Sequence, residues 1–562
     1  MTSLFRSSTV PALSALTLIL LQSWAVHAQT APNAGQVVRE LQQQPAPAAP
    51  QAAPGVRVEP DAATASQADT TRFLVKSFQI SGNTAIPTAE LQALVANLVG
   101  GQQSLLELNA AVARITAYYR SHGYPVARAY LPAQEIKDGA VVIGILEGRI
   151  DRHRLKNGSR LSNERADSYI EQTKNGEAIR SAQVDRGLLL LNDTPGVGSA
   201  RATLQPGASV GTSELLVELD PAAAFASSVS MDNFGNRYTG QNRLGGTLAI
   251  NSPLHIGDQL TFNGLTSDHS MTYARLAYQL PVGSDGLRLG AAYFDTRYRL
   301  GKEFVALNAH GKATSGSVFA VYPFIRSQQS NLSGSATWEQ KKLTDVVDST
   351  ATVTDKQVRL LNVGLGGNRQ DMLGGGGITS LDLSVVLGRL EIKSPSALAI
   401  DAASAQSNGT YTRVSYSASR LQRLSASNQL WVTVSGQQAS KNLDSSEKFA
   451  LGGANGVRAY PQGEGIGDEG YLATVEWRYD FSGTLQGTLF YDTGSVTINH
   501  TPFGAGSNSR TLAGVGVGVN AALSSVRLKV SLAWRTQGGD PTSVPASAAK
   551  SPTLWVQANA VF

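Results

Sequence analysis

Apolar and polar side chains alternate along the C-terminal part of the chain. Between Val526 and Arg535, Val, Leu and Trp side chains fall on one side of an extended chain, while Arg, Lys, Ser and Ala fall on the other. The same alternation recurs between Tyr471 and Phe481 and in the last segment, which ends on Phe562. A soluble sheet buries its apolar face, whereas a membrane barrel presents that face to lipid and encloses a polar lumen. The charged residues on the second face therefore favour a membrane barrel.

Sixteen such alternating segments can be counted. They begin near Phe225, Asn242, Asp258, Met271, Leu287, Lys312, Ser330, Lys356, Ile378, Tyr411, Gln429, Tyr471, Leu485, Thr511, Val526 and Thr553. An even number suits antiparallel closure, and short connections such as 326–329, 482–484 and 524–525 alternate with longer ones. The pattern predicts an all-β, 16-stranded transmembrane β-barrel over residues 222–562.

Two stretches before the barrel share a different order of elements, strand–helix–helix–strand–strand. Residues 73–149 are predicted to contain a strand at 74–80, helices at 88–98 and 108–122, and strands at 126–131 and 140–146. Residues 150–221 are predicted to contain a strand at 150–155, helices at 163–172 and 182–191, and strands at 200–204 and 214–219. A repeat of about 70 residues indicates two small α/β domains more strongly than either copy alone.

The first residues carry an export signal. Residues 1–28 combine Arg6, an apolar stretch from Ala12 to Leu21, and small residues before Gln29, which is typical of a cleaved secretory signal peptide. A retained membrane anchor is the alternative, but the apolar stretch is too short to span a bilayer. We therefore expect the mature protein to leave the cytoplasm.

Residues 29–72 are predicted to hold a short helix and a linker. Residues 36–44 have helix-forming composition but are too few to form a stable helix alone in water, so they need a surface on which to dock. The run PAPAAPQAAP at residues 45–54 is typical of an extended, semi-rigid linker. A disordered tail without a role is the alternative interpretation.

Composition argues against several classes of function. Charged residues make up 16% of the chain and the net charge is +5, without a basic stripe interleaved with aromatic residues, so we expect no nucleic-acid partner. The chain has no cysteine and its seven histidines are scattered, so we expect neither a metal site nor a bound cofactor. Residues 465–470 match GxGxxG but lack the strand-then-helix context of a dinucleotide site. With no nucleophile elbow and no P-loop, we expect no enzymatic activity.

One connection, residues 439–470, is unusually long. It is rich in glycine and apolar at its centre, so we expect it to fold back into the barrel. Alternation in the next strand places Asp492 on the lumen face, where an unpaired carboxylate is costly. Arg458 in the loop can donate two parallel hydrogen bonds to it, with Glu476 as a second lumen-facing partner, although an arginine satisfied by water remains the alternative. The lumen face of the following strand leaves space for a loop at Gly514, Gly516 and Gly518.

Five short motifs, in this order along the chain, resemble those of the outer-membrane transporters of two-partner secretion, the haemolysin secretion/activation family. They are GYPV at 123–126, LEGR at 146–149, DNFGN at 232–236, GVRAY at 456–460 and FYDTG at 490–494. Each motif is weak alone, but the ordered set covers essentially the whole mature chain. The family commonly has glycine after the loop arginine, where this chain has Ala459.

This resemblance implies two periplasmic POTRA domains at residues 73–149 and 150–221, a helix that plugs the pore, and export of one large exoprotein without ATP. It also implies that the loop tip acts in translocation, that a wall motif is its partner and that the C-terminal strand closes the barrel. The tip residues are Val457, Arg458, Ala459 and Tyr460; the wall residues are Phe490, Asp492, Gly494 and Glu476; the closing residues are Trp555 and Phe562.

The implied partners are a secreted TpsA-type exoprotein (a β-helical adhesin, haemolysin or toxin), outer-membrane lipid, and the barrel-assembly machinery that inserts the protein. The implied location is a Gram-negative outer membrane. Which exoprotein is carried, and whether it is also activated, stays open. A barrel-assembly factor of the BamA type is one alternative, but we would expect it to have more α/β repeats. A passive porin is another, and it would need neither the α/β domains nor a partner.

Overall fold

The computed structural model describes residues 31–42, 57–58, 72–171 and 178–562. The predicted signal peptide and most of the predicted linker lie outside the described residues. None of the helices within these ranges is long and apolar enough to cross a membrane.

Before the barrel, the chain forms an isolated helix, a short strand and two α/β units. The helix is α1 (Ala34–Gln42), and the short strand is β1 (Arg57–Val58). The first unit contains β2 (Arg72–Leu74), β3 (Ser77–Ser81), α2 (Thr88–Ala93), β4 (Gln102–Ser104), α3 (Leu105–Ser121), β5 (Arg128–Tyr130) and β6 (Ala140–Leu146). The second contains β7 (Arg149–Asn157), α4 (Asn163–Glu171), α5 (Ser181–Asn192), β8 (Val197–Pro206) and β9 (Thr212–Pro221).

The two units have the same sheet topology. In the first, β3 pairs in parallel with β6, and β5 pairs antiparallel with β6. In the second, β7 pairs in parallel with β9, and β8 pairs antiparallel with β9. The internal repeat predicted from the sequence is therefore present in the fold. The second sheet is extended at its β8 edge by β1, which runs parallel to β8.

Two predictions in the first unit are wrong in detail. The strand predicted at 74–80 is two strands, because the chain changes sheets at the fully buried Val75: β2 pairs with β4, whereas β3 pairs with β6. The helix predicted at 88–98 ends at Ala93, and Ala96–Leu98 forms a separate 3₁₀ turn. Between them the backbone of Val95 leaves helical geometry (φ −117°, ψ 2°) while its side chain is buried in the core.

Local signals determine both ends of α3. The Ser104 hydroxyl accepts a hydrogen bond from the Glu107 backbone N–H (3.3 Å), and the Glu107 carboxylate accepts one from the Ser104 backbone N–H (2.6 Å). This capping box starts the helix at Leu105, three residues before the predicted start. Gly123, with φ of 87°, follows the helix end, where a left-handed backbone favours glycine.

Sixteen strands within residues 178–562, all of which are described, close into an antiparallel barrel. The remaining strands and the one remaining α-helix are, in chain order, β10 (Phe225–Asp232), β11 (Arg243–Asn251), β12 (Gln259–Ser267), β13 (Thr272–Val282), β14 (Leu287–Arg299), β15 (Ala309–Arg326), β16 (Ser330–Val347), β17 (Thr352–Asp371), β18 (Gly377–Ile392), α6 (Pro395–Ala402), β19 (Gly409–Arg423), β20 (Asn428–Ala439), β21 (Phe449–Ala450), β22 (Ile466–Gly467), β23 (Glu469–Ser482), β24 (Leu485–Thr497), β25 (Ser509–Leu523), β26 (Val526–Gln537) and β27 (Thr553–Val561). Strands β21 and β22 pair with each other in a separate two-stranded sheet that is not part of the barrel wall, and β10 pairs with β27 to close the barrel. The predicted 16-stranded barrel is confirmed.

The two ends of the barrel differ in the length of their connections. We call the end with connections 327–329, 483–484 and 524–525 the turn end, and the end with connections 393–408, 440–468 and 538–552 the loop end. The second α/β unit docks at the turn end. There the Arg326 guanidinium donates two hydrogen bonds to the Asp193 carboxylate (2.6 and 2.8 Å), and Arg186 donates to the carbonyl of Pro323 (2.8 Å).

Helix α1 lies inside the barrel lumen. Its residues Val37 and Val38 are buried in one apolar cluster with lumen-facing side chains of the wall, among them Tyr298, Leu343 and Val358. The helix starts at Ala34 and ends at Gln42, two residues earlier at each end than predicted. The reason is a cap: the Asn33 side chain accepts from the Gln36 backbone N–H (3.1 Å), and the Gln36 side chain accepts from that of Asn33 (3.2 Å).

Candidate functional site

The long connection between β20 and β23 turns into the lumen and packs against the wall. Its residues Leu451, Val457 and Tyr460 are fully buried and share an apolar cluster with Phe490 on β24 and Leu512 on β25. Polar backbone in such a place needs internal partners, and the loop supplies some of them itself, since the Val457 N–H donates to the Leu451 carbonyl (2.7 Å). The loop is thus a folded insert in the lumen.

Arg458, at the tip of this insert, binds two carboxylates of the wall. It donates two parallel hydrogen bonds to Asp492 on β24 (2.8 Å each) and a third to Glu476 on β23 (2.7 Å). Its guanidinium carbon also lies 3.3 Å from the centroid of the Phe490 ring. Three of the four predicted wall residues therefore surround one side chain, and the two carboxylates meet it in the fork geometry that arginine favours.

A second layer of polar contacts orients the two carboxylates. Thr474 donates to Asp492 (2.9 Å), and Arg478 donates to Glu476 (2.8 Å). The Arg458 backbone N–H also donates to Asp492 (3.1 Å). Two arginines thus balance two carboxylates in a buried cluster, which is the condition under which buried charges are tolerated. Removing Arg458 alone would leave the fully buried Asp492 carboxylate without the guanidinium that binds it.

The rest of the tip is held through main-chain carbonyls. The Tyr460 hydroxyl shares its one hydrogen between the carbonyls of Gln537 (2.7 Å), the last residue of β26, and Gly539 (2.9 Å), just beyond it at the loop end. The Trp555 indole N–H donates to the Arg458 carbonyl (2.7 Å). Trp555 lies on the closing strand as predicted from its position, but the sequence did not reveal this contact with the tip. Alternation along β27 carries a signal for it, because it places Trp555 on the lumen face.

Wall glycines make room for the insert. A Cβ atom on Gly514 would lie 2.4 Å from the Cβ of Ala459, and one on Gly494 would lie 2.6 Å from the Leu451 side chain. On Gly516 it would lie 2.2 Å from the Phe490 ring that packs under Arg458. Ala459 does not have the positive φ that would favour glycine, so the departure from the family motif fits this backbone.

The base of the loop is fixed by buried ion pairs that sequence reasoning missed. Glu447 accepts from Lys341 on β16 (2.8 Å) and lies 3.6 Å from Arg413 on β19, and Asp444 accepts from Lys356 on β17 (2.8 Å). The lysines sit on lumen-facing positions of their strands, which is a readable signal. Their partners sit in an irregular segment without periodicity, so the pairing could not be read from the sequence.

Helix α1 rests on this same loop base. Gly35 packs so closely that a Cβ there would lie 2.2 Å from the Ser445 hydroxyl and 2.7 Å from the Ser446 nitrogen. The Ser445 hydroxyl donates to the Asn33 side chain (2.6 Å). The Ala34 N–H donates to Asp345 on the wall (2.7 Å). The plug helix and the inward loop therefore form one packed unit inside the barrel.

At the closing seam, the last residue also pairs. The Phe562 N–H donates to the Ser227 carbonyl (2.8 Å), and the Ser227 N–H donates to the Phe562 carbonyl (3.2 Å). The Phe562 side chain itself is exposed on the outer surface. These bonds join the last residue to the first strand of the barrel.

Comparisons with known proteins agree on one family. The model of the haemolysin secretion/activation protein family (ShlB/FhaC/HecB) matches residues 211–521, and that of the ShlB-type POTRA domain matches residues 73–148. The heme/hemopexin transporter protein HuxB of Haemophilus influenzae (strain 86-028NP) is 32% identical over 493 residues, 86% of each chain. The outer membrane transporter CdiB of Dickeya dadantii (strain 3937) is 22% identical over 84% of each chain.

The same fold is found in a solved structure. The solved structure of CdiB from Escherichia coli superposes with a TM-score of 0.70 at 19% identity, covering 94% of this chain and 96% of that one. The family match and the named relatives, together with a 16-stranded barrel that follows a POTRA unit, identify an outer-membrane transporter of two-partner secretion and favour it over a BamA-type assembly factor. The chain belongs to the haemolysin secretion/activation protein family (ShlB/FhaC/HecB).

Proposed function

We propose that this transporter takes one large exoprotein from the periplasm, in an unfolded state, and passes it through the barrel to the cell surface. The turn end, with its two POTRA units, faces the periplasm, and the loop end faces outward. The observation that carries the proposal is the plug: a lumen that is filled by a helix and a folded loop suits a channel that opens only for its cargo.

Opening requires α1 to leave the lumen. The helix is held by apolar packing of Val37 and Val38 and by hydrogen bonds at its N-terminal end, none of which is covalent. The segment between α1 and β1, residues 43–56, supplies the tether for that excursion. Arg458 keeps the loop tip on the wall at rest, and the exoprotein threads past it. Folding of the exoprotein outside gives the movement its direction.

In this proposal the POTRA units recognise the exoprotein. A three-stranded sheet such as β3–β6–β5 has two edge strands, and an unfolded segment can add to such an edge by main-chain hydrogen bonds. Leu74 on β2 and Leu106 on α3 are exposed apolar side chains of the same unit and offer further apolar contacts. The proposal contains no catalytic step, no metal and no cofactor. Insertion of the barrel itself depends on the barrel-assembly machinery.

The experiment compares secretion of the exoprotein encoded beside this gene by the wild type, a deletion strain and Arg458→Ala. We expect export by the wild type and strong loss in Arg458→Ala, since Asp492 and Glu476 lose the tip that binds them. Arg275→Ala is the matched control, because Arg275 lines the cavity beside α1 without touching the loop tip. Heat-modifiable gel mobility verifies that each barrel is folded. Equal secretion by the deletion strain would refute transport of that partner.

A further inference from the structure

Two arginines face each other on the outer surface of the barrel. Arg359 on β17 and Arg389 on β18 are directly paired residues of neighbouring antiparallel strands, and both side chains are exposed. Like charges directly opposite one another destabilise a sheet unless something compensates them. Within the described residues neither arginine forms a direct ion pair, and Glu391 interacts with both of them only at longer range.

The nearest charged and polar groups do not neutralise the pair. Glu391, two residues beyond Arg389, forms an ion pair with Lys393 and also interacts with both arginines, so one carboxylate faces three positive charges. The Gln357 amide oxygen can accept from Arg359 (3.0 Å), but this partner is uncharged. Lys342, in the same outward row as Gln357 and Glu391, adds a further positive charge. The surface around the arginines therefore has a net positive charge.

An apolar belt lies directly below the arginines, on their turn-end side. Trp338, Leu361 and Leu387 form the next outward-facing row, with 47%, 40% and 55% of their surface exposed. Large exposed aromatic and aliphatic side chains on a barrel wall face lipid, with aromatic residues concentrated at its interfaces. The arginines thus stand where the apolar belt ends.

The length of the belt agrees with a membrane. Along β17 the outward positions after Arg359 are Leu361, Val363, Leu365 and Gly367, and the next is Arg369. Ten residues at about 3.4 Å each, in a strand tilted by about 40°, span roughly 26 Å along the barrel axis, close to the apolar band of about 25 Å in outer-membrane barrels. Arg359 therefore marks the headgroup level of the loop-end leaflet.

The two arginines line a groove on the outer surface of the barrel. It has a volume of about 480 Å³, and its lining includes Arg359, Arg389, Trp338 and the hydroxyl-bearing Thr410 and Thr412. Paired guanidinium groups with nearby hydroxyls are the donors that bind phosphate in a bidentate manner, and the apolar row beneath accommodates acyl chains.

We propose that this groove binds the phosphorylated headgroup of a glycolipid in the outer leaflet, with Arg359 and Arg389 on one phosphate and the acyl chains along the belt. The site is independent of the lumen and of export, and depends only on the orientation that places the loop end outward. A bound phosphate compensates the repulsion between the paired arginines. It also attaches the long strands β15–β18 to the lipid headgroups.

The test uses the purified full-length protein in detergent and measures lipid binding by native mass spectrometry. The probes are bis-phosphorylated lipid A, the same lipid after removal of its phosphates, and inorganic phosphate as a competitor. We expect Arg359→Ser/Arg389→Ser to bind bis-phosphorylated lipid A about tenfold or more weakly than the wild type, because each arginine supplies charge-assisted hydrogen bonds. Arg297→Ser is the matched control, since Arg297 is an outward arginine on β14 paired with Asp295 (3.3 Å).

Retained affinity in the double variant would overturn the proposal, as would equal binding of the dephosphorylated lipid or an equal loss in Arg297→Ser. Displacement of the lipid by inorganic phosphate at millimolar concentration would show a general anion site and would also overturn it. If the double variant does not fold, the single variants Arg359→Ser and Arg389→Ser carry the same comparison. No exoprotein is present in the assay, so its outcome does not depend on the export proposal.

Discussion

Glu147 is a buried carboxylate in the first POTRA unit, held by several hydrogen bonds. The backbone N–H groups of Thr84 (2.7 Å) and Ala85 (2.8 Å) and the Tyr119 hydroxyl (2.8 Å) donate to it, as does the Thr84 hydroxyl. Burial opposes its ionisation, but hydrogen bonds from the Thr84 side chain and from the backbone of Ala85 and Thr84 hold the pKa of Glu147 below the ordinary value of 4.5. The charged form therefore stabilises the turn at residues 82–86.

We expect Glu147→Gln to destabilise this unit by about 1–3 kcal/mol at pH 7. The glutamine amide keeps only one acceptor oxygen, so some of the groups that donate to the Glu147 carboxylate are left without an acceptor. A carboxyl group whose pKa is lower in the folded state contributes stability above its unfolded pKa and loses it as the pH falls through the folded pKa. The difference between wild type and variant should thus shrink below about pH 4. Hydrogen exchange of residues 82–86 in the full-length protein measures it. Glu135→Gln, at an exposed carboxylate of the same unit, should change nothing.

The tip contact shows which residue pairs a sequence can predict. Arg458 with Asp492 and Glu476 was predictable because strand alternation determines which carboxylates face the lumen, and the long loop holds the arginine. Lys341 with Glu447 was not, because the face of Lys341 is periodic but Glu447 lies in irregular chain. Side chains on strands are therefore predictable by parity, whereas loop partners depend on the tertiary path.

Among the elements, the plug helix depends on one glycine. Gly35 lies against the loop base, where a larger side chain would overlap Ser445 and the backbone of Ser446. We expect Gly35→Leu to unseat α1, because overpacking at such a contact typically costs about 1–3 kcal/mol and the helix is too short to be stable alone. The measurement is single-channel conductance in planar bilayers, which should rise as open states become more frequent. Gln42→Leu, at the exposed end of α1, is the control.

An unchanged conductance in Gly35→Leu, with the control equal to wild type, would show that α1 does not limit the open state.

The position of the plug helix could be predicted from the sequence only in part. Composition indicated a helix that needs a docking surface, and Asn33 was available as a cap to place its start at Ala34. The surface itself, the loop base at residues 444–446, comes from a segment far along the chain, and no local pattern connects the two.

At the scale of the whole molecule, period-two alternation carried most of the prediction. It determined strand number, the lumen face and the separation of short turns from long loops, because a barrel repeats one constraint in every strand. Alternation could not predict how the second α/β unit docks on the barrel. That contact uses Asp193 with Arg326 and a backbone carbonyl at Pro323, and single polar pairs between distant segments leave no periodic trace.

The chain has no cysteine, so a disulfide can be introduced at one chosen place to test whether the plug must leave. Asn33 and Ser445 already touch through their side chains (2.6 Å), which makes Asn33→Cys/Ser445→Cys the pair that joins α1 to the loop base. We expect the oxidised double variant to lose export and to regain it on reduction, since a covalent tether cannot be released by the exoprotein. Exoprotein in the medium, compared before and after reductant, gives the measurement.

The two single-cysteine variants are the controls, because each removes the hydrogen bond between Asn33 and Ser445 without creating a tether. They should export equally with and without reductant. Undiminished export by the fully oxidised double variant would mean that the exoprotein passes while α1 stays in the lumen. The exoprotein would then pass the barrel by a route that α1 does not block, and release of α1 would not be part of the mechanism.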